Sequence, residues 1–152
     1  MSVEDNTALV RRFIEHGYPE AARGNVDVLH QYYADHYHNH RPLHPEHRGV
    51  DGVKAGSADI GQAYPDLRME VVHIAGEGDL VFVHWRGTGT HAEQHQVVKH
   101  LSDIEPSGEA ETRSGIMLLR IAGGKFVEGW NYHNILEHAH ARGVGSAPGG
   151  SS

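Results

Sequence analysis

The sequence predicts an α+β fold in which N-terminal helices pack on one face of a curved antiparallel sheet. Three observations lead there. Apolar residues recur at helical spacing through the first part of the chain, the period changes to two after Leu67, and glycine-rich turns punctuate the second half.

Leu9, Val10, Phe13 and Ile14 lie at helical spacing behind Asp5 and Asn6, both able to cap, and Gly17 with Pro19 is expected to stop the run. A second helical segment begins at Asn25 and carries Val28, Leu29, Tyr32 and Tyr33, before a short strand at Tyr37 to His40 and a loop marked by Pro42 and Pro45. Asp51 to Tyr64 forms a third helix, weakened by Gly56 and Gly61 and closed by the sequence YPD. Four strands come next, in LRMEVVHIA, LVFVHWRGT, TRSGIMLLRI and KFVEGWNYHN, with GEGD and AGGK at hairpin turns. Between the second and third of these, His91 to Glu111 is polar and long enough to serve as a flap. Residues 1–141 read as a single domain and 142–152, RGVGSAPGGSS, as a flexible tail.

Composition narrows the function. The 152 residues make one domain, and a formal charge of −7 offers no basic field for nucleic acid or anionic lipid. No window is apolar enough for a membrane span, and the N-terminus is acidic before it is apolar, so a cytoplasmic protein is expected. The absence of cysteine excludes disulfides, thiolate chemistry and Cys-based metal sites. The 15 histidines make the net charge sensitive to mild acidity.

The segments YYADHYHNHRP, GVDGVKA, AYPDLRMEVVHIAGEGDLVFVHWRGTGTH and GGKFVEGWNYHN, taken in this order over about residues 30 to 135, resemble the SnoaL-like polyketide cyclases of the NTF2-like fold. The resemblance implies a conical roll, usually a homodimer, that takes a hydrophobic small molecule and works without metal or organic cofactor. It places the acid/base aspartate of the cyclases at Asn134 and a strand histidine of that branch at Met117, so both groups of the usual proton-transfer pair are replaced. It also puts His40 where relatives carry a histidine and where ketosteroid-isomerase-like proteins keep their base.

These residues define a candidate site. Strand alternation sets Glu128, Trp130, Tyr132 and Asn134 on one face, which the match to the cyclase aspartate makes the pocket face, with His133 opposite. Trp130 and Tyr132 then form an aromatic wall, or are ordinary core residues. Asn134 is an amide donor to a carbonyl or developing enolate, or a cap. His40 is the first candidate base and His84 the next, with Asp35 and Tyr33 placed to orient a histidine. Met117 joins the binding surface. His36, His38 and His40 alternate, a spacing that suits either a metal or a solvated histidine ladder, and no third ligand is identifiable elsewhere.

The expected function is a cofactor-independent enzyme of natural-product biosynthesis that cyclises or isomerises a hydrophobic, carbonyl-bearing molecule. The alternatives are a non-catalytic binding or accessory protein, or a pericyclase, hydroxylase, dehydratase or epoxide hydrolase on the same fold. Whether His40 or His84 points into the pocket discriminates the enzyme from the binding protein.

Overall fold

The computed structural model describes residues 2–40, 48–94 and 104–133. Helix α1, Val3–Arg12, starts earlier than expected because Ser2 caps it. The Ser2 hydroxyl accepts from the Asp5 N–H at 3.1 Å and the Asp5 carboxylate accepts from the Ser2 N–H at 3.2 Å, so two end donors are satisfied reciprocally. Gly17 and Pro19 do not stop the run. A π-helical segment, Phe13–Gly17, leads directly into α2, Tyr18–Ala22, with Pro19 in its first turn. Proline cannot donate to the carbonyl four residues back, and the widened turn ahead of it is where the backbone absorbs that loss.

The second expected helix shrinks to a 3-10 segment, Val26–Gln31, because the chain is drawn early into strand β1, Tyr33–Asn39. The Phe126 N–H donates to the Tyr32 carbonyl at 2.7 Å and Tyr33 pairs in register with Phe126, so β1 lies parallel to the last strand. Helix α3, Val50–Ala63, falls where its apolar pattern placed it. Strands β2 (Arg68–Glu77), β3 (Leu80–Thr90), β4 (Ala110–Ala122) and β5 (Lys125–His133) complete one sheet in the order β1-β5-β4-β3-β2. All neighbours except β1 and β5 are antiparallel, giving a mixed sheet behind N-terminal helices, the expected α+β architecture.

The two faces of the sheet differ in chemistry. Val81, Val83, Met117, Leu119, Ile121 and Phe126 are buried against Phe13, Ile14, Leu29, Tyr33 and Tyr37. Phe13 meets Tyr33 and Phe126 edge-on at 5.5 and 5.2 Å, an arrangement that matches ring edges to ring faces. On the opposite face stand the charged Glu70, Arg86, Arg120 and Glu128 and the exposed Phe82, Ile116 and Tyr132. The β2–β3 and β4–β5 turns need positive φ, which Gly78 at 59° and Gly123 and Gly124 at 57° and 74° supply.

The segment between β3 and β4 is tied at its base. His91 N–H donates to the Glu109 carbonyl at 3.2 Å and Gly108 N–H to the His91 carbonyl at 2.9 Å. The middle of the expected flap (95–103), the loop prolines Pro42 and Pro45, Asn134 and the tail from Arg142 lie outside the described residues.

Candidate functional site

The structure reverses the expected face. β4 and β5 pair Met117 with Asn131 and Gly115 with His133, and Met117 is buried beneath the helices. Asn131 and His133 therefore share the helix-facing side of the sheet, while Glu128, Trp130 and Tyr132 project from the far side. The expectation that these three line the pocket is thereby corrected; from Glu128 onward the alternation along β5 holds, and only the choice of side changes.

His40 and His84 are on the far side too. The His40 ring stacks on Trp130 at 4.4 Å and 7°, and its Nε2 is 2.7 Å from a Glu128 carboxylate oxygen. Glu128 also accepts from Arg120 Nε at 2.8 Å, and Arg120 donates to Asp79 at 2.8 Å. His84 Nδ1 sits 3.3 Å from His73 Nδ1 on the neighbouring strand. Asp35 is a surface residue whose side chain is 99% exposed, 3.9 Å from His30, and so does not orient a pocket histidine. His38 and His40 touch edge-to-face at 4.4 Å. Among the described residues no group of three or more His, Asp or Glu is placed to hold a metal ion. Tyr33 and Met117, in contrast, are buried on the helix side, within the hydrophobic core.

The His40–Glu128–Arg120 network has a pH signature. The hydrogen bond from His40, then that from Arg120, holds the Glu128 carboxyl below its usual value of 4.5. A carboxyl depressed in the folded state contributes stability above its unfolded pKa and loses it as the pH falls through the folded one. Glu128→Gln is therefore expected to lower the melting temperature at neutral pH, with the gap to wild type closing as acid is added. Melting curves across that range check it; a gap that stays constant to acid pH contradicts the assignment.

The helix-facing side carries a different constellation. Across the sheet Trp85 pairs with Gly115, and Gly115 with His133. A Cβ on Gly115 would lie 2.6 Å from Trp85 Cζ2 and 2.8 Å from His133 Cβ, so the glycine is what lets the indole lie against the strand beside the histidine. Trp85 Nε1 and Asn131 Oδ1 are both buried, and neither has a hydrogen-bond partner among the described residues. An unsatisfied buried donor or acceptor costs about 1–3 kcal/mol, so two of them on one face of the sheet need an explanation outside packing.

Towards the β3–β4 end the lining turns polar. Gly87 pairs with Arg113 and Gly89 with Glu111, on the same side as Trp85. The Arg113 guanidinium lies over the Tyr64 ring at 5.0 Å. Tyr64 donates to Glu111 at 2.9 Å and stacks on the fully buried His91 at 5.1 Å. Burial pushes the Tyr18 phenol up to about 12 and raises those of Tyr33 and Tyr37, so all three stay neutral and can only offer or accept hydrogen bonds.

Sequence reasoning did not single out Trp85, Asn131 or Arg113, and set His133 aside as lying opposite the expected pocket face. The signal was present: Arg86, Arg120 and Glu128 share parity with Phe82, Tyr132 and Trp130, and a run of charges at one parity marks the solvent face. A groove of about 270 Å³ does exist on that face, lined by His84, Ser114, Gly115, Ile116, Tyr132 and His133. It is open, and its apolar rim suits a protein surface better than an enclosed reaction.

Comparison with known proteins agrees with this architecture. The SnoaL-like domain family model matches residues 10–129. Among solved structures, a candidate SnoaL-like polyketide cyclase from Jannaschia sp. CCS1 is similar at 21% identity and a TM-score of 0.73, over 93% of this chain and 94% of its own. TsrD from Streptomyces laurentii is similar at 19% identity and 0.75, over 95% and 98%. AclR, a candidate hydroxylase from Streptomyces galilaeus, is similar at 22% identity and 0.69, over 97% and 87%. No curated protein matches the chain. With a fold shared with these structures, and the family model spanning all five strands but for the end of the last, the chain belongs to the SnoaL-like domain family.

Proposed function

We propose that the cone binds a hydrophobic, carbonyl-bearing small molecule of polyketide type and that the protein is a cofactor-independent cyclase or isomerase acting on it. The observation that carries this reading is the pair of unpartnered polar atoms, Trp85 Nε1 and Asn131 Oδ1, buried on the sheet face that packs against the apolar core. A bound carbonyl gives the indole N–H its acceptor, and a substrate hydroxyl or enol gives the amide oxygen its donor. Donors fixed where negative charge develops stabilise an enolate more than the ketone it comes from. His133, beside Trp85, is the proton carrier in this scheme, taking the role expected of His40 and His84.

A second reading, a binding protein without chemistry, is favoured by one observation: the two histidines first expected as bases both stand on the far side of the sheet. The two readings separate on His133→Ala. An enzyme retains ligand affinity and loses turnover; a binding protein has no turnover to lose when wild type is incubated with poly-β-ketone substrates and followed by mass spectrometry.

We further propose a cytoplasmic homodimer formed through the outer sheet face. Phe82, Ile116 and Tyr132 are 39%, 36% and 48% exposed there, and Ile116 and Tyr132 are direct cross-strand neighbours. The charges around them, Arg86 with Glu70 and Arg120 with Asp79 and Glu128, are already paired within the chain, so a two-fold copy meets a neutral surface. Ile116→Asp is expected to convert a dimer into a folded monomer by light scattering. A wild-type monomer at high protein concentration contradicts the proposal.

A further inference from the structure

We infer that Arg113 makes the cone selective for ligands whose carbonyl edge can become an enolate, such as a β-diketone, by stabilising that anion. The inference rests on the proposed use of the cone and names the chemistry it recognises. Three observations carry it. Arg113 shares the helix-facing side with Trp85, one step diagonal across the β3–β4 ladder, a separation that two long side chains can span to meet one guest. Its contact within the fold is the face of Tyr64 at 5.0 Å, and among the described residues it has no hydrogen-bonded or ion-paired acceptor. It is also partly withdrawn from water, which lowers its pKa, and the forked donors of a partly desolvated guanidinium favour an oxygen partner.

The neighbouring charges decide what kind of oxygen. Tyr64, Tyr18 and Asp59 face Arg113 electrostatically, in that order of effect, and Glu111 stands two residues along the same strand, accepting from the Tyr64 and Ser107 hydroxyls at 2.9 and 3.2 Å. His91 lies against Tyr64 on the side of Glu111. The Asp59 carboxylate acting on the guanidinium leaves little surplus positive charge, so a permanently charged guest such as a phosphate gains little. A guest that arrives neutral and develops charge only when it loses its proton meets the best balance. In that step a C–H between two carbonyls breaks, the proton leaves to water, and the electron pair spreads over both oxygens, within reach of the forked donors of arginine.

Benzoylacetone and its gem-dimethyl derivative, which has no proton to lose between its carbonyls, make the test. Binding is followed by calorimetry, and ionisation by the ultraviolet absorbance of the bound enolate. On the wild type the apparent pKa of benzoylacetone is expected to fall by about one unit or more. Arg113→Gln is expected to abolish that shift and to weaken binding about thirtyfold at a pH where the enolate dominates, while the gem-dimethyl compound binds both proteins alike. Arg113→Lys, which keeps the charge, is expected to retain part of the shift. An unshifted pKa on the wild type, or equal losses for both compounds in Arg113→Gln, overturns the inference while leaving the cone as a binding site. Failure of both compounds to bind the wild type overturns the proposed use of the cone as well.

Discussion

Gly61→Ala is expected to destabilise the protein by about 3 kcal/mol or more, whereas Gly56→Ala, five residues earlier on the same helix, is expected to stabilise it by about 0.5–1 kcal/mol. A Cβ on Gly61 would overlap the carbonyl of Ala22, a backbone atom that cannot rotate away, because α2 and α3 touch there main chain to main chain. At Gly56 nothing lies within 4 Å of the added carbon, and only the helical preference for alanine remains. Urea titrations of the two variants, with slopes unchanged from wild type, measure both signs. A mild effect at Gly61 would mean that α2 can slide off α3, and that the helical wall of the cone is not rigid.

Substitutions inside the cone are expected to divide stability from function. Asn131→Leu and Trp85→Phe each remove an atom that has no partner among the described residues, so stability is expected to stay level or rise by up to about 1 kcal/mol. Ligand affinity is expected to fall about tenfold for each, because the bound carbonyl loses its donor or the bound hydroxyl its acceptor. Paired thermal melts and calorimetric titrations check this. A residue that serves packing would give the opposite result, with stability lost and affinity preserved. Trp130→Phe is the control, since that indole stacks on His40 outside the cone.

Much of the fold was legible in the sequence because its elements obey local rules. The four antiparallel strands lie where period-two alternation placed them, with register shifts at Val71/His73 and Arg120/Ile121, and α3 lies within a residue of its expected bounds. The misses have tertiary causes. Gly17 and Pro19 fail to end the helix because a π turn accommodates the proline, and Tyr33 enters a strand because Phe126 holds it there. The site was read less well. Parity correctly separated Trp130 and Tyr132 from His133, but which parity is concave depends on where the helices dock. Pairing Met117, a buried residue, with Asn131 settles that, and no single strand contains the information. The charges of Arg86, Arg120 and Glu128 were the readable clue, and the aromatic residues beside them outweighed it.

Chemistry on the helix-facing side, between Trp85 and Asn131, excludes a reaction centred on His40, Glu128 and Trp130, and ligand position decides between the two. The decisive measurement is a crystal structure of the protein soaked with an aromatic β-diketone. The ligand is predicted to lie beneath the helices, with a carbonyl oxygen about 3 Å from Trp85 Nε1. Density confined to the outer face, against Trp130 and Tyr132, would contradict that placement and return His40 to the role of base.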